Sequence, residues 1–206
     1  MPERDGMDWD EAIDIAVTWV RAECVAQGRR GVLVTVSKNS LGGGPLEAFA
    51  RAGDWITPRS GRAGVDIGRP VLAYVPDEQA LQLATRYARG SSLCAVEGFG
   101  TSLSGWARSI GALNLLGEGP GPELDARLLE ALDHLHFVGN NGWGDGFGQH
   151  RAQGTLLGLR EQGLLDQDAI VGDMLARGHS PRSVKQLTAL IDKLNRGDLR
   201  PPRRRY

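Results

Sequence analysis

Apolar positions along the chain alternate between a helical period and short continuous runs. From Ile13 they recur at helical spacing through Ala16, Val17, Val20 and Cys24 until Gly28 ends the run. Asp8 followed by Glu11 forms a capping-box pattern at its start, so a first helix is expected there. Residues 31–37 (Gly-Val-Leu-Val-Thr-Val-Ser) are β-branched and almost continuously apolar, as a strand covered on both faces requires. Gly42, Gly43 and Gly44 follow, and Pro45 opens a short helical run through Leu46, Ala48, Phe49 and Ala50. The stretch from Gly53 to Arg69 reads as a long connection, with one short strand expected at Val65 to Ile67. Residues 70–75 form a second buried run. Pro76-Asp77-Glu78 then starts a helix that turns Ala80, Leu81, Ala84, Tyr87 and Ala88 inward and stops at Gly90, and Ser92 to Glu97 completes a strand, helix, strand unit. A crossover helix between two strands of one sheet implies that they are parallel and that the crossover is right-handed.

The second half changes character. A helix is expected from Ser102 to Leu113, burying Leu103, Trp106 and Ile110, and residues 117–122 then form a Gly/Pro break. Leu124, Leu128, Leu132 and Leu135 mark a further helix ending near Val138, before a glycine-rich segment, 139–148. The remainder reads as helices over 152–161, 166–177 and 180–195, followed by a basic, proline-containing tail over 199–206. The fold class that follows is α/β: a three-layer domain with a small, mainly parallel sheet over residues 1–116, extended by a helical C-terminal subdomain over 117–206. The unit from Pro70 to Gly98 resembles the core units of nucleotide hydrolases and helicases, but the lysine that grips phosphate there and the paired acidic magnesium motif are missing.

Composition excludes several classes. With 206 residues, 41% hydrophobic and 24% charged, the chain can bury a real core and is neither a disordered segment nor a disulfide scaffold. Cys24 and Cys94 lack the spacing of a metal knuckle or redox motif, so both are expected as buried thiols. No window reaches 18 uninterrupted apolar residues and the first residues are polar and acidic. No membrane partner and a cytoplasmic location are therefore expected. The 24 basic and 25 acidic side chains nearly cancel, yet not uniformly: residues 1–149 carry 13 basic against 19 acidic, and residues 150–206 carry 11 against 6.

Three stretches could carry chemistry. Lys38 with Gly42, Gly43 and Gly44 forms a glycine-rich turn between a buried strand and a helix, where backbone N–H groups can hold a phosphate or carboxylate. Neither the P-loop nor the dinucleotide spacing is present. The second stretch, Asn140 to Arg151, concentrates amides, aromatics, a carboxylate, an imidazole and a guanidinium among alternating glycines. Trp143 or Phe147 could offer a stacking face, Asn140, Asn141 and Asp145 directional hydrogen bonds, and Arg151 an anion contact. Alternatively, Trp143 and Phe147 plug a joint between subdomains. Asp145 orienting His150 would make a general base, although no nucleophile elbow accompanies it.

The four histidines lie at 134, 136, 150 and 179. On a helix, His134 and His136 point about 200° apart and cannot clasp one ion, so no metal site is expected. The third stretch is the final helix pair, with Ser180 as N-cap and Pro181 at the first helical position. It resembles a helix-turn-helix, leaving Arg182, Lys185 and Gln186 for a partner and Arg203, Arg204 and Arg205 for phosphates.

The leading expectation is a non-catalytic binding protein that contacts nucleic acid or a protein partner through the glycine-rich aromatic loop and the basic C-terminal helices. The alternatives are an enzyme acting on a nucleotide or other phosphorylated small molecule, and a structural or regulatory subunit. No cofactor is identified by any motif.

Overall fold

The structure, a computed structural model, describes residues 9–38, 41, 43–60, 64–98, 102–117, 123–144 and 146–198. The chain divides into two compact units, one formed by Met1–Ser102 with Leu115–Glu118 and the other by Leu103–Asn114 with Gly119–Tyr206.

The first unit is a three-layer α/β sandwich. Its helices are α1 (Trp9–Gln27), α2 (Gly44–Ala52) and α3 (Glu78–Tyr87), and its strands are β1 (Val32–Val34), β2 (Asp54–Ile56), β3 (Val71–Tyr74) and β4 (Leu93–Val96). The strands form one sheet in the order β2-β1-β3-β4. Every pairing is parallel, with Leu33 opposite both Trp55 and Leu72, and Leu72 opposite Cys94. Strand side chains alternate between two apolar layers, as the two-residue period demands. Val32, Val34, Val71 and Ala73 meet Ala80, Leu83, Ala84 and Tyr87 of α3 on one face. On the other, Leu33, Leu72, Cys94 and Val96 meet Ala16, Val17 and Val20 of α1 and Leu46 and Phe49 of α2. The near-continuous apolar runs seen in the sequence are thus the signature of strands covered twice.

The expected strand at Val65 to Ile67 does not form; Ile67 is exposed. The strand in that connection is β2, which occupies the sheet edge beside β1. Three residues, Asp-Trp-Ile, carry too little pattern to be recognised without the neighbour that pairs with them. Arg69 closes the amino end of this edge. Its buried guanidinium donates to the carbonyls of Arg30 and Gly31 and pairs with Asp54 at 2.6 Å.

The second unit is all helical: α4 (Ser104–Ser109), α5 (Ala126–Val138), α6 (Gly146–Glu161), α7 (Gln167–Ala176) and α8 (Pro181–Asn195). Its core joins Leu128, Leu132 and Leu135 of α5, Leu156 and Leu159 of α6, Ile170 and Met174 of α7, and Val184, Leu187, Ile191 and Leu194 of α8. Helix α4 is shorter than its apolar spacing predicts: Leu103 and Trp106 are buried, but Ile110 lies in a turn and is exposed. Gly111, at φ +65°, stops it, and the bonds Gly111 N–H to Arg108 O and Ala112 N–H to Ala107 O complete a Schellman cap. Helix α6 begins six residues before the expected Ala152, because its glycine-rich first turns mask the helical period. Among the described residues no helix is long and apolar enough to cross a membrane.

Candidate functional site

The three sequence candidates divide between the units. In the first unit, the loop after β1 leaves the carboxyl edge of the sheet at Thr35. This threonine is buried, donates from Oγ1 to the Ser37 carbonyl at 2.8 Å and accepts the Trp55 indole N–H at 2.8 Å. Lys38 is exposed, its ammonium 5.7 Å from the centre of the Trp55 ring. Gly43, at φ +89°, precedes the first turn of α2, where Pro45 sits as expected; Gly42 lies outside the described residues. The change of direction in strand order falls between β1 and β3, so this loop and the turn after Tyr74 flank the same crevice position. Val75 in that turn has φ +45°, an uncommon conformation for a β-branched residue.

The second and third candidates meet within the helical unit. The segment between α5 and α6 wraps around Trp143, which is 0% exposed. A β-carbon at Gly139 would fall 2.1 Å from the indole, and one at Gly148 would fall 2.6 Å from the Gly142 carbonyl. Only hydrogen fits there, which explains the density of glycine. The other side of the loop lies against the first turns of α8. A β-carbon at Gly142 would be 2.9 Å from the Gln186 amide oxygen, which itself accepts the Trp143 backbone N–H at 3.3 Å.

Trp143 is therefore a core residue of the helical unit and offers no open stacking face, a correction to its candidacy as a ligand platform. Among the described residues its buried indole N–H has no hydrogen-bond partner. Gln186 is likewise engaged with the loop instead of standing free on the outer face of α8. Phe147 and Arg151 are not loop residues but occupy the first turns of α6. Phe147 is 66% exposed, and the Arg151 guanidinium carbon sits 5.1 Å from its ring centre. Asn140, Asn141, His150, Arg182 and Lys185 are exposed, as is Phe137 at the end of α5. Asp145 and Arg203, Arg204 and Arg205 lie outside the described residues, so the Asp145–His150 pairing has no geometry to report.

Sequence reasoning missed one cluster. His134 and His136 do point apart, but His136 meets His179, with Nδ1 2.9 Å from Nε2 and the rings edge-on at 5.0 Å. His179 in turn lies 4.6 Å from the Trp143 ring. Burial and the neighbouring His136 and Arg177 hold the His179 imidazole below its ordinary value, against an opposing pull from Asp173. Forty-three residues separate the pair, and no short-range pattern marks such a contact. Among the described residues no three histidine, cysteine or acidic side chains gather as a metal site. The thiols are free and not activated: burial pushes Cys94 up to about 11 and also raises Cys24.

The chain matches no protein-family model, no curated protein and no solved structure.

Proposed function

We propose that the helical unit is a non-catalytic nucleic-acid-binding module whose preferred target is a single strand. The observation that carries this reading is the seating of the 139–144 loop on Ser183 and Gln186 of α8. It brings the exposed amides of Asn140 and Asn141 beside the helix that bears Arg182 and Lys185. The exposed Phe147 ring, already partnered with the Arg151 guanidinium, follows the loop in the first turn of α6. An aromatic face flanked by cations and amides stacks a base and meets its phosphate. A single strand suits it better than a duplex, because the loop occupies the Ser183 and Gln186 side of the first turns of α8, the part of the helix that a helix-turn-helix would insert into a groove. Electrophoretic shift with a single-stranded oligonucleotide and with its duplex, each at two salt concentrations, tests the reading. Preferential retardation of the single strand is expected, weakened about tenfold by Phe147→Ala. No retardation at low salt removes nucleic acid as the partner and leaves a protein partner for this surface.

A second reading concerns the first unit, where the reversal of strand order between β1 and β3 favours a phosphorylated small molecule or nucleotide near Lys38 and Gly44. A ligand bound only by the folded chain raises its melting temperature. A millimolar panel of nucleotides and sugar phosphates should contain at least one that does so, and that shift should disappear in Lys38→Ala. A flat response across the panel rejects this site.

A further inference from the structure

The contact between His136 and His179 lies where three parts of the helical unit converge: the last turn of α5, the turn joining α7 to α8, and the loop carrying Trp143. Its backbone is pinned on both sides. His179 follows Gly178 in a Schellman cap and donates its N–H to the Met174 carbonyl, while the α5 end is closed by the Gly139 N–H bonding to the Leu135 and His136 carbonyls. These bonds fix where the two residues leave the backbone, so the rings part either by side-chain rotation or by movement of a helix end.

We propose that this pair is a proton-operated latch on the 139–144 loop, closed while one imidazole nitrogen at the contact remains free to accept and opened when both rings are protonated. With no added proton, one ring donates N–H and the other accepts. A first proton from solvent goes to an outward-facing nitrogen, so the N–H···N bond persists and is charge-assisted. The second must take the accepting nitrogen itself. Two N–H groups then face each other on two cations, and the attraction becomes repulsion.

The charged surroundings relieve it only in part, through the opposing pull of Asp173 on His179. From α7 and its end come Asp173 and Arg177; Arg177 bonds Asp173 at 2.6 Å and Asp133 of α5 at 2.8 Å, so both carboxylates are already engaged. Asp173 also accepts from Ser109 of α4. The residues of α8 that touch the loop, Ser183 and Gln186, are neutral, and Arg182 and Lys185 of α8, His134 of α5 and His150 and Arg151 of α6 are exposed. Protonated His179 keeps a favourable face on the Trp143 indole. The contact that yields is therefore the one to His136, which frees the α5 end and the loop that follows it.

The sign follows from linkage. A base held below its ordinary value when folded contributes fully at pH above that ordinary value and loses its contribution as pH falls beneath it. Opening should therefore set in below about pH 6.5 and grow by up to about tenfold per pH unit for one linked proton. As regulation of the surface proposed above, the latch rests on that reading; as a property of the loop, it does not.

The experiment uses the full chain. Nuclear magnetic resonance titration should show the His179 imidazole displaced to lower pH, and that displacement should shrink in His136→Asn. Hydrogen exchange of residues 139–144, compared at matched intrinsic exchange, should lose protection from pH 7.5 to 5.5. His136→Asn and His179→Gln each keep a neutral amide at the contact, and both should abolish that pH step while leaving protection at neutral pH. An undisplaced titration of His179, a displacement that His136→Asn leaves unchanged, or a pH step that survives in both variants overturns the latch. If the variants fail to fold, the titration of the unmodified chain decides. Oligonucleotide affinity measured over the same pH range separates the two claims: an opening loop without any binding at any pH leaves the latch standing and sinks the nucleic-acid reading.

Discussion

Three helical glycines in the second unit, Gly105, Gly172 and Gly154, fall into two opposite physical classes. Gly105 of α4 lies so close to α7 that a β-carbon would fall 1.9 Å from the Asp168 carbonyl oxygen, and one at Gly172 of α7 would fall 2.2 Å from the Trp106 nitrogen. Both obstacles are backbone, so no side-chain rotation relieves them. Gly154 in α6 meets nothing within 4 Å and has an ordinary helical φ. Gly105→Ala should therefore destabilise the protein by about 2 kcal/mol or more, the overpacking cost outweighing the gain in helix propensity. Gly154→Ala should stabilise it by up to about 1 kcal/mol. Urea unfolding of both variants checks the pair, and equal signs would contradict the close crossing of α4 and α7. Nothing in the sequence distinguishes these glycines, since each stands in a run of comparable composition; what differs is the backbone opposite.

At the scale of elements, the ends of helices are chemically explicit. Asp77 accepts the Ala80 N–H at 2.8 Å, Asp166 the Ala169 N–H at 2.9 Å and Ser180 the Ser183 N–H at 3.1 Å, each capping a helix where the sequence places it. Asp77→Ala should cost about 1 kcal/mol, read as a lowered melting temperature, whereas Asp77→Asn should be nearly neutral because both side chains cap well. At the other ends, Gly28, Gly111, Gly163 and Gly178 take positive φ and hand the chain out of α1, α4, α6 and α7. These signals are local, so helix identities were readable from neighbouring residues. The exceptions are instructive. Helix α6 starts earlier than its apolar period shows because Gly146 and Gly148 weaken its propensity, and its first turn lies against the Gly142 and Val138 carbonyls. Strand β2 was overlooked because three residues gain strand character only by pairing with β1.

For the whole molecule, near-neutrality hides a gradient from an acidic first part to a basic last part. With Arg151, Arg182 and Lys185 as the cations of the proposed surface, binding of a single strand should show a shallow salt slope. Three phosphates would give about −2 in log K against log salt. A slope near −10 would demand many more cations than this surface offers and would move the contact elsewhere. The sequence by itself determined the α/β class with a helical C-terminal part, the doubly covered parallel sheet and most helix limits, because these depend on the period of apolar residues and on caps within a few positions. Tertiary structure alone decided that Trp143 is core, that Gln186 supports the loop, that α4 packs on α7 and that His136 faces His179. Those outcomes depend on which distant segment fills the space beside a residue, and a contact across 43 positions leaves no periodic trace in the chain.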